Sequence, residues 1–221
     1  MWHYFGRKTR VIKQFPEPRY SIIIEPFAGA ACYSLLYPDN QVILNDIYLP
    51  VYTFWYYFIE LATPQMVARL PNLWRGDKVS DYSHFLSKEE RVVMGWWTGR
   101  CITSPGNTVS QWVHKNGGTR TIKKQAIQHL EKIKHWKVML KDYRKIPNIE
   151  ATWFIDPPFQ FSRSKYKCHN IDYGELAEWC KSRKGQVIVC EKGGANWMDF
   201  KFLAKFHGLK GEQIEVMWTN D

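Results

Sequence analysis

The chain has 221 residues, is 45% apolar and 24% charged, and carries a formal net charge of +10. That length suits one large domain, or one domain carrying an insertion, with a core that removes about 70% of the unfolded chain's surface from water. The positive balance favours a polyanionic partner, nucleic acid first and an anionic membrane surface second. Its five cysteines form no C-x-x-C pair, which argues against a disulfide framework or a zinc site, and no apolar stretch reaches the roughly 18 residues of a spanning helix. No metal and no membrane partner are expected. The aromatic share (11 Trp, 12 Tyr, 12 Phe) exceeds what a core of this size usually needs, so some rings are expected to face a ligand.

The first 20 residues are basic and aromatic. Gly6-Arg7-Lys8, followed by Val11, Ile12 and Phe15, predicts a glycine turn that opens a short helix ending before Pro16 and is suited to hold an anion. Tyr20 to Ile24 is a β-branched run bounded by prolines, hence a buried strand. The small-residue turn Glu25-Pro26-Phe27-Ala28-Gly29-Ala30-Ala31 follows, and Cys32 to Tyr37 reads as the start of a helix. A second strand, Gln41 to Leu44, ends at Asn45-Asp46, 17 residues beyond Gly29. An acid at that place in a doubly wound sheet bonds the ribose hydroxyls of an adenosine-type cofactor, while the competing reading has Asp46 cap the helix from Pro50 onward.

From Thr63 to Gly118 the βα alternation stops, which marks a candidate insertion. Ser87-Lys88-Glu89-Glu90 is a capping box opening a helix through Trp97. The stretch from Thr98 to Arg120 interleaves Arg100, Trp112, Lys115 and Arg120 with serines and threonines. Such a mix suits phosphate contacts and base stacking, with an ordinary solvated loop as the alternative. Thr121 to Trp136 has the spacing of an amphipathic helix packed on the sheet. Val138 to Leu140 reads as a short strand ending at Asp142, and Asp172-x-x-Glu175 as a second capping box. Gln186 to Cys190 reads as a further strand, and Ile214 to Thr219 as an alternating strand at the sheet's edge.

The densest chemical signal is Thr152-Trp153-Phe154-Ile155-Asp156-Pro157-Pro158-Phe159. An apolar strand stops there at an acid and two prolines, neither of which has an N–H to continue a ladder. Ligands of open α/β sheets bind in the crevice beyond the carboxyl ends of the strands, so Asp156 is placed for chemistry.

In order and spacing, these pieces resemble the Dam-like class of DNA adenine-N6 methyltransferases, of the solitary or phage type. Tyr4-Phe5-Gly6-Arg7-Lys8 resembles the N-terminal cofactor motif, Glu25 to Ala30 the glycine turn, and Asn45-Asp46-Ile47 the ribose-binding acid. Asp156-Pro157-Pro158-Phe159 resembles the catalytic tetrapeptide and Glu215 to Asn220 the closing strand motif. The resemblance implies an α/β fold: a Rossmann-like class I methyltransferase sheet, mostly parallel with an antiparallel edge strand, formed by residues 1–62 and 119–221. It also implies a smaller, mostly helical target-recognition insertion at 63–118. S-adenosyl-L-methionine is the implied cofactor, held by Tyr4, Lys8, Glu25, Phe27, Gly29, Asp46, Asp142 and Asp156. Double-stranded DNA is the implied partner, contacted by Arg100, Trp112, Lys115, Arg120, Arg163, Lys165 and Lys167. A cytoplasmic location and a possible restriction endonuclease partner go with it. Two departures stand out: the tetrapeptide ends in Phe159 where relatives carry Tyr, and the glycine turn has one glycine.

The implied chemistry is methyl transfer to the N6 amino group of an adenine flipped out of the duplex. Asp156 and the Pro157 carbonyl accept the two amino N–H bonds, Pro158 stiffens the turn, and Phe159 stacks on the base. An RNA base N-methyltransferase and a non-catalytic DNA-binding protein with the same fold remain the alternatives.

Overall fold

The computed structural model describes residues 8, 11–100, 102–115, 117–161, 165–208 and 211–221. Tyr4 and Arg163 lie outside these. The described chain divides into two compact units, Lys8–Ile47 with Met139–Asp221, and Tyr48–Val138.

The sheet has seven strands: β1 (Ile22–Glu25), β2 (Gln41–Asn45), β3 (Lys137–Met139), β4 (Ala151–Ile155), β5 (Gly185–Lys192), β6 (Lys201–Gly208) and β7 (Gly211–Thr219), in the order β3-β2-β1-β4-β5-β7-β6. β1 runs parallel to β2 and β4, and β4 parallel to β5. β7 is antiparallel to both β5 and β6. This is the mostly parallel α/β sheet expected. Every residue of β4 is buried, as its unbroken apolar run predicts for a central strand.

The last strand departs from expectation. β7 is an interior strand, and β6 takes the edge. Phe202 pairs with Val216 and Ala204 with Glu215, so Leu203 is the extra residue of a bulge that breaks the alternation by which β6 would be recognised. Cys32–Tyr37 also differs, forming only a 3-10 turn at Ser34–Leu36.

Near the start of β4, the Thr152 hydroxyl donates to Gln186 Oε1 at 2.8 Å and accepts the Arg19 N–H, which also reaches Gln186. This buried network ties the lead-in of β1 to β4 and β5. Gly185 opens β5 at φ +97°, where a Cβ would lie 2.3 Å from the Ala151 carbonyl oxygen; only glycine fits. In the core Phe154 stacks on Tyr33 at 4.3 Å, and Trp179 meets Trp153 and Tyr143 edge-on. α6 (Tyr173–Lys181) supplies Trp179, its N-terminus capped by Asp172.

The second unit is helical: α1 (Leu49–Tyr56) running into a π-helical turn at Tyr57–Leu61, α2 (Pro64–Arg69), α3 (Lys88–Trp96), α4 (Gln111–Lys115) and α5 (Gly118–Ile133). It contains the stretch 63–118 and extends past it on both sides, taking in α1 and α5. α5 packs against α2, α4 and the π-helical turn, so its apolar face belongs with these helices and not, as its spacing suggests, with the sheet. The Ser87/Glu90 capping box is present. Trp55, Trp96, Trp97 and Trp136 are fully buried here. Much of the aromatic excess is therefore core, not ligand-facing surface.

Candidate active site

The strand order reverses between β1 and β4: the chain goes from β1 outward to β2 and β3, then returns to β4 on β1's other side. At such a switch point the parallel strands leave a crevice at their carboxyl ends. Glu25 closes β1 and Asp156 follows β4, so the two acids flank it.

The turn after β4 is held from two sides. The Tyr173 hydroxyl donates to the Pro158 carbonyl at 2.5 Å. Glu191, fully buried on β5, accepts the Gln160 N–H and the Trp197 indole N–H, both at 3.0 Å. Gln160 and Asn196 exchange two further hydrogen bonds. Phe159 is thereby fixed between two anchored neighbours.

Lys8 completes the centre. It is 4% exposed, and its Nζ lies 2.9 Å from Asp156 Oδ1, 3.4 Å from Glu215 Oε2 and 4.0 Å from the centre of the Phe159 ring. Burial works against the ammonium, but Asp156 and Glu215 together hold its pKa above the usual lysine value. Burial raises the Asp156 carboxyl while Lys8 opposes the rise, and Glu215 follows the same pattern. Cys190 and half-buried Tyr166 are also pushed up, by burial first and the Asp156 charge second. Burial pushes Glu25 to about 8 against two hydrogen bonds from Ser34.

The cofactor candidates gather at the ends of β1 and β2. The Gly29 N–H donates to Asp46 Oδ2 at 3.1 Å, and the Ala28 N–H to the Asn45 carbonyl at 2.8 Å. Buried Asn45 also bonds the Pro26 and Lys141 carbonyls and accepts the Lys141 N–H, fixing the direction of Asp46. Asp46 thus serves the glycine turn, while α1 starts from Tyr48 without a side-chain cap. Phe27 packs on Tyr143 at 5.4 Å. Asp142 caps the 3-10 turn Tyr143–Lys145 and chelates Arg144, which holds its pKa below the usual carboxylate range. An acid beside a glycine turn with a half-buried ring close by is a donor and acceptor set that fits a nucleoside.

Of the nucleic-acid candidates, Arg100 stacks over Trp112 at 4.7 Å, and Lys115 and Arg120 are exposed, all in the helical unit. Lys165 and Lys167 are exposed in the segment that follows the tetrapeptide. Sequence reasoning missed Glu191, Tyr173 and Glu215 as parts of the site. Glu215 carried no local signal, because an acid between Ile214 and Val216 in an alternating strand reads as solvent-facing.

Compared with protein families, residues 4–179 match the D12 class N6 adenine-specific DNA methyltransferases. The chain belongs to that family. The match includes the glycine turn, Asp46 and the tetrapeptide, and it stops short of β5, β6 and β7. As a D12 class member the chain is an adenine-specific DNA methyltransferase, with DNA as substrate and adenine as the methylated base. A search of curated proteins finds no match. A conserved hypothetical protein of Streptococcus pyogenes is a similar solved structure, 8% identical over 90% of this chain and 86% of that one, with a TM-score of 0.33. Among the described residues no His, Cys, Asp and Glu cluster could hold a metal, and no helix is long and apolar enough to cross a membrane.

Proposed function

We propose that the protein transfers a methyl group from S-adenosyl-L-methionine to the N6 amino group of an adenine flipped out of double-stranded DNA. The observation that carries this is Asp156, a carboxylate at the switch point with the Phe159 ring beside it. The adenine amino nitrogen is a poor nucleophile because its lone pair is delocalised into the ring. Asp156 accepts one amino N–H and the Pro157 carbonyl the other, which localises the lone pair on nitrogen. The cofactor supplies an electrophilic methyl on a sulfonium; the N–C bond forms as the S–C bond breaks, and the sulfur keeps the electron pair. The nitrogen then carries a positive charge and loses one proton, for which Asp156 is the nearest acceptor. Phe159 stacks on the base and offsets part of the few kcal/mol of unstacking.

Asp46 takes the ribose hydroxyls, with Gly29 and Phe27 alongside; Glu25, Asp142 and Tyr4 complete the cofactor set. Target recognition falls to the helical unit, through Arg100, Trp112, Lys115 and Arg120. Arg163, Lys165 and Lys167 hold the flanking phosphates. The test is transfer of labelled methyl from S-adenosyl-L-methionine to duplex DNA, with structured RNA as competitor. Label on adenine N6 that is lost in Asp156→Ala supports the reading; label that persists in Asp156→Ala, or that goes to RNA, overturns it.

A further inference from the structure

The Asp156 carboxylate does not stand alone: Lys8 sits on its Oδ1, and a lone buried lysine there would cancel its charge. The same ammonium also pairs with Glu215, 7% exposed, whose Oε2 lies within ion-pair range at 3.4 Å. It is carried on β7 opposite the Leu203 bulge, a feature that re-aims strand side chains and is frequent beside active sites. It also lies beyond the segment matched to the family.

We propose that Glu215 is a positioning residue of the methyl transfer, drawing the Lys8 ammonium toward β7 so that Asp156 keeps net negative charge for the target amino group. This rests on the methyltransferase reading above. Two carboxylates and one ammonium sum to one negative charge. Positive charge that grows on N6 as the methyl arrives is stabilised by that excess, whereas a neutral Asp156–Lys8 pair offers much less. Lys8 keeps Asp156 ionised against burial, and Glu215 keeps Lys8 from quenching it. The other groups around this centre are Glu25 from β1, Cys190 and Glu191 from β5, and Tyr166 from the segment after the tetrapeptide.

The test compares pH profiles of single-turnover methylation for Glu215→Gln, Glu215→Asp and Lys8→Met in the full chain. Duplex binding by anisotropy and the thermal midpoint report folding. In Glu215→Gln the rate falls by about tenfold or more, KM for DNA and for donor stays within about threefold, and the acid limb moves to lower pH, because Asp156 loses a like charge and gains all of Lys8. In Lys8→Met the acid limb moves to higher pH, because half-buried Asp156 and buried Glu215, left without a cation, disfavour each other's charge. Glu215→Asp keeps the charge and recovers most of the rate. An unchanged rate and acid limb in Glu215→Gln, or shifts of the same sign in Glu215→Gln and Lys8→Met, overturn the proposal. A wild-type protein that puts no methyl on adenine overturns the underlying reading instead.

Discussion

Glu25 and Ser34 form a closed pair: one carboxylate oxygen accepts both the Ser34 hydroxyl, at 2.6 Å, and the Ser34 N–H, at 2.9 Å. Even so, burial leaves the folded-state pKa near 8, above the ordinary 4.5. A group raised in this way favours the fold while protonated. Its contribution is complete below about pH 4.5 and is lost as pH rises through 8, by on the order of 5 kcal/mol. We predict that the thermal midpoint declines from pH 5 to pH 8 and that Glu25→Gln flattens the decline. Parallel slopes for the two proteins would refute it.

Gly185→Ala and Gly194→Ala separate two costs. Both glycines have φ near +97°, but a Cβ at Gly185 meets the Ala151 backbone while Gly194 has nothing within 4 Å. We predict a loss of about 3 kcal/mol or more for Gly185→Ala and about 1 kcal/mol for Gly194→Ala, read from urea midpoints. Equal losses would show that the close approach to Ala151 carries no weight.

In the helical unit Glu90 is fully buried. It accepts from the Ser87 N–H, the Tyr57 hydroxyl and Arg69, the last at 2.6 Å. Glu90→Ala strands these donors and is predicted to cost about 3 kcal/mol, against under about 1 kcal/mol for half-buried Glu89→Ala, which loses only the Ser87 hydroxyl. Denaturant titration of the two variants checks the difference.

Phe159 poses a question of function. If it stacks on the target base, Phe159→Ala lowers the methylation rate by about 5- to 150-fold, the equivalent of 1–3 kcal/mol of stacking, while Phe159→Tyr stays close to wild type. A large loss in Phe159→Tyr would place the ring's edge, not its face, against the substrate.

The parts that sequence reveals are those whose chemistry is local. Asp156 shows because an apolar run stops at two prolines, and Asp46 because an acid closes the second strand after a small-residue turn. Lys8 reads as part of a glycine turn suited to hold an anion; the structure buries it because carboxylates from the end of β4 and from β7 converge on it, which no local pattern encodes. Glu215 hides for a related reason, since one acid in an alternating strand reads as solvent-facing until its neighbours are known. β6 escapes notice because Leu203 interrupts its period of two. The aromatic residues mislead in the other direction: their number suggests binding faces, yet Trp153, Trp179, Phe154 and Tyr33 pack on one another.

Lys8 and Glu215 stand nearly the whole described chain apart, and β7 is the last strand to be made. Their pairing is a contact of the longest range this topology permits, which folding forms late and at high entropic cost. During synthesis, the early strands and the helical unit can exist well before the catalytic carboxylate has its full set of neighbours. Active enzyme should therefore lag behind compact protein in a refolding time course, by the interval that the β6–β7 hairpin needs to dock on β5.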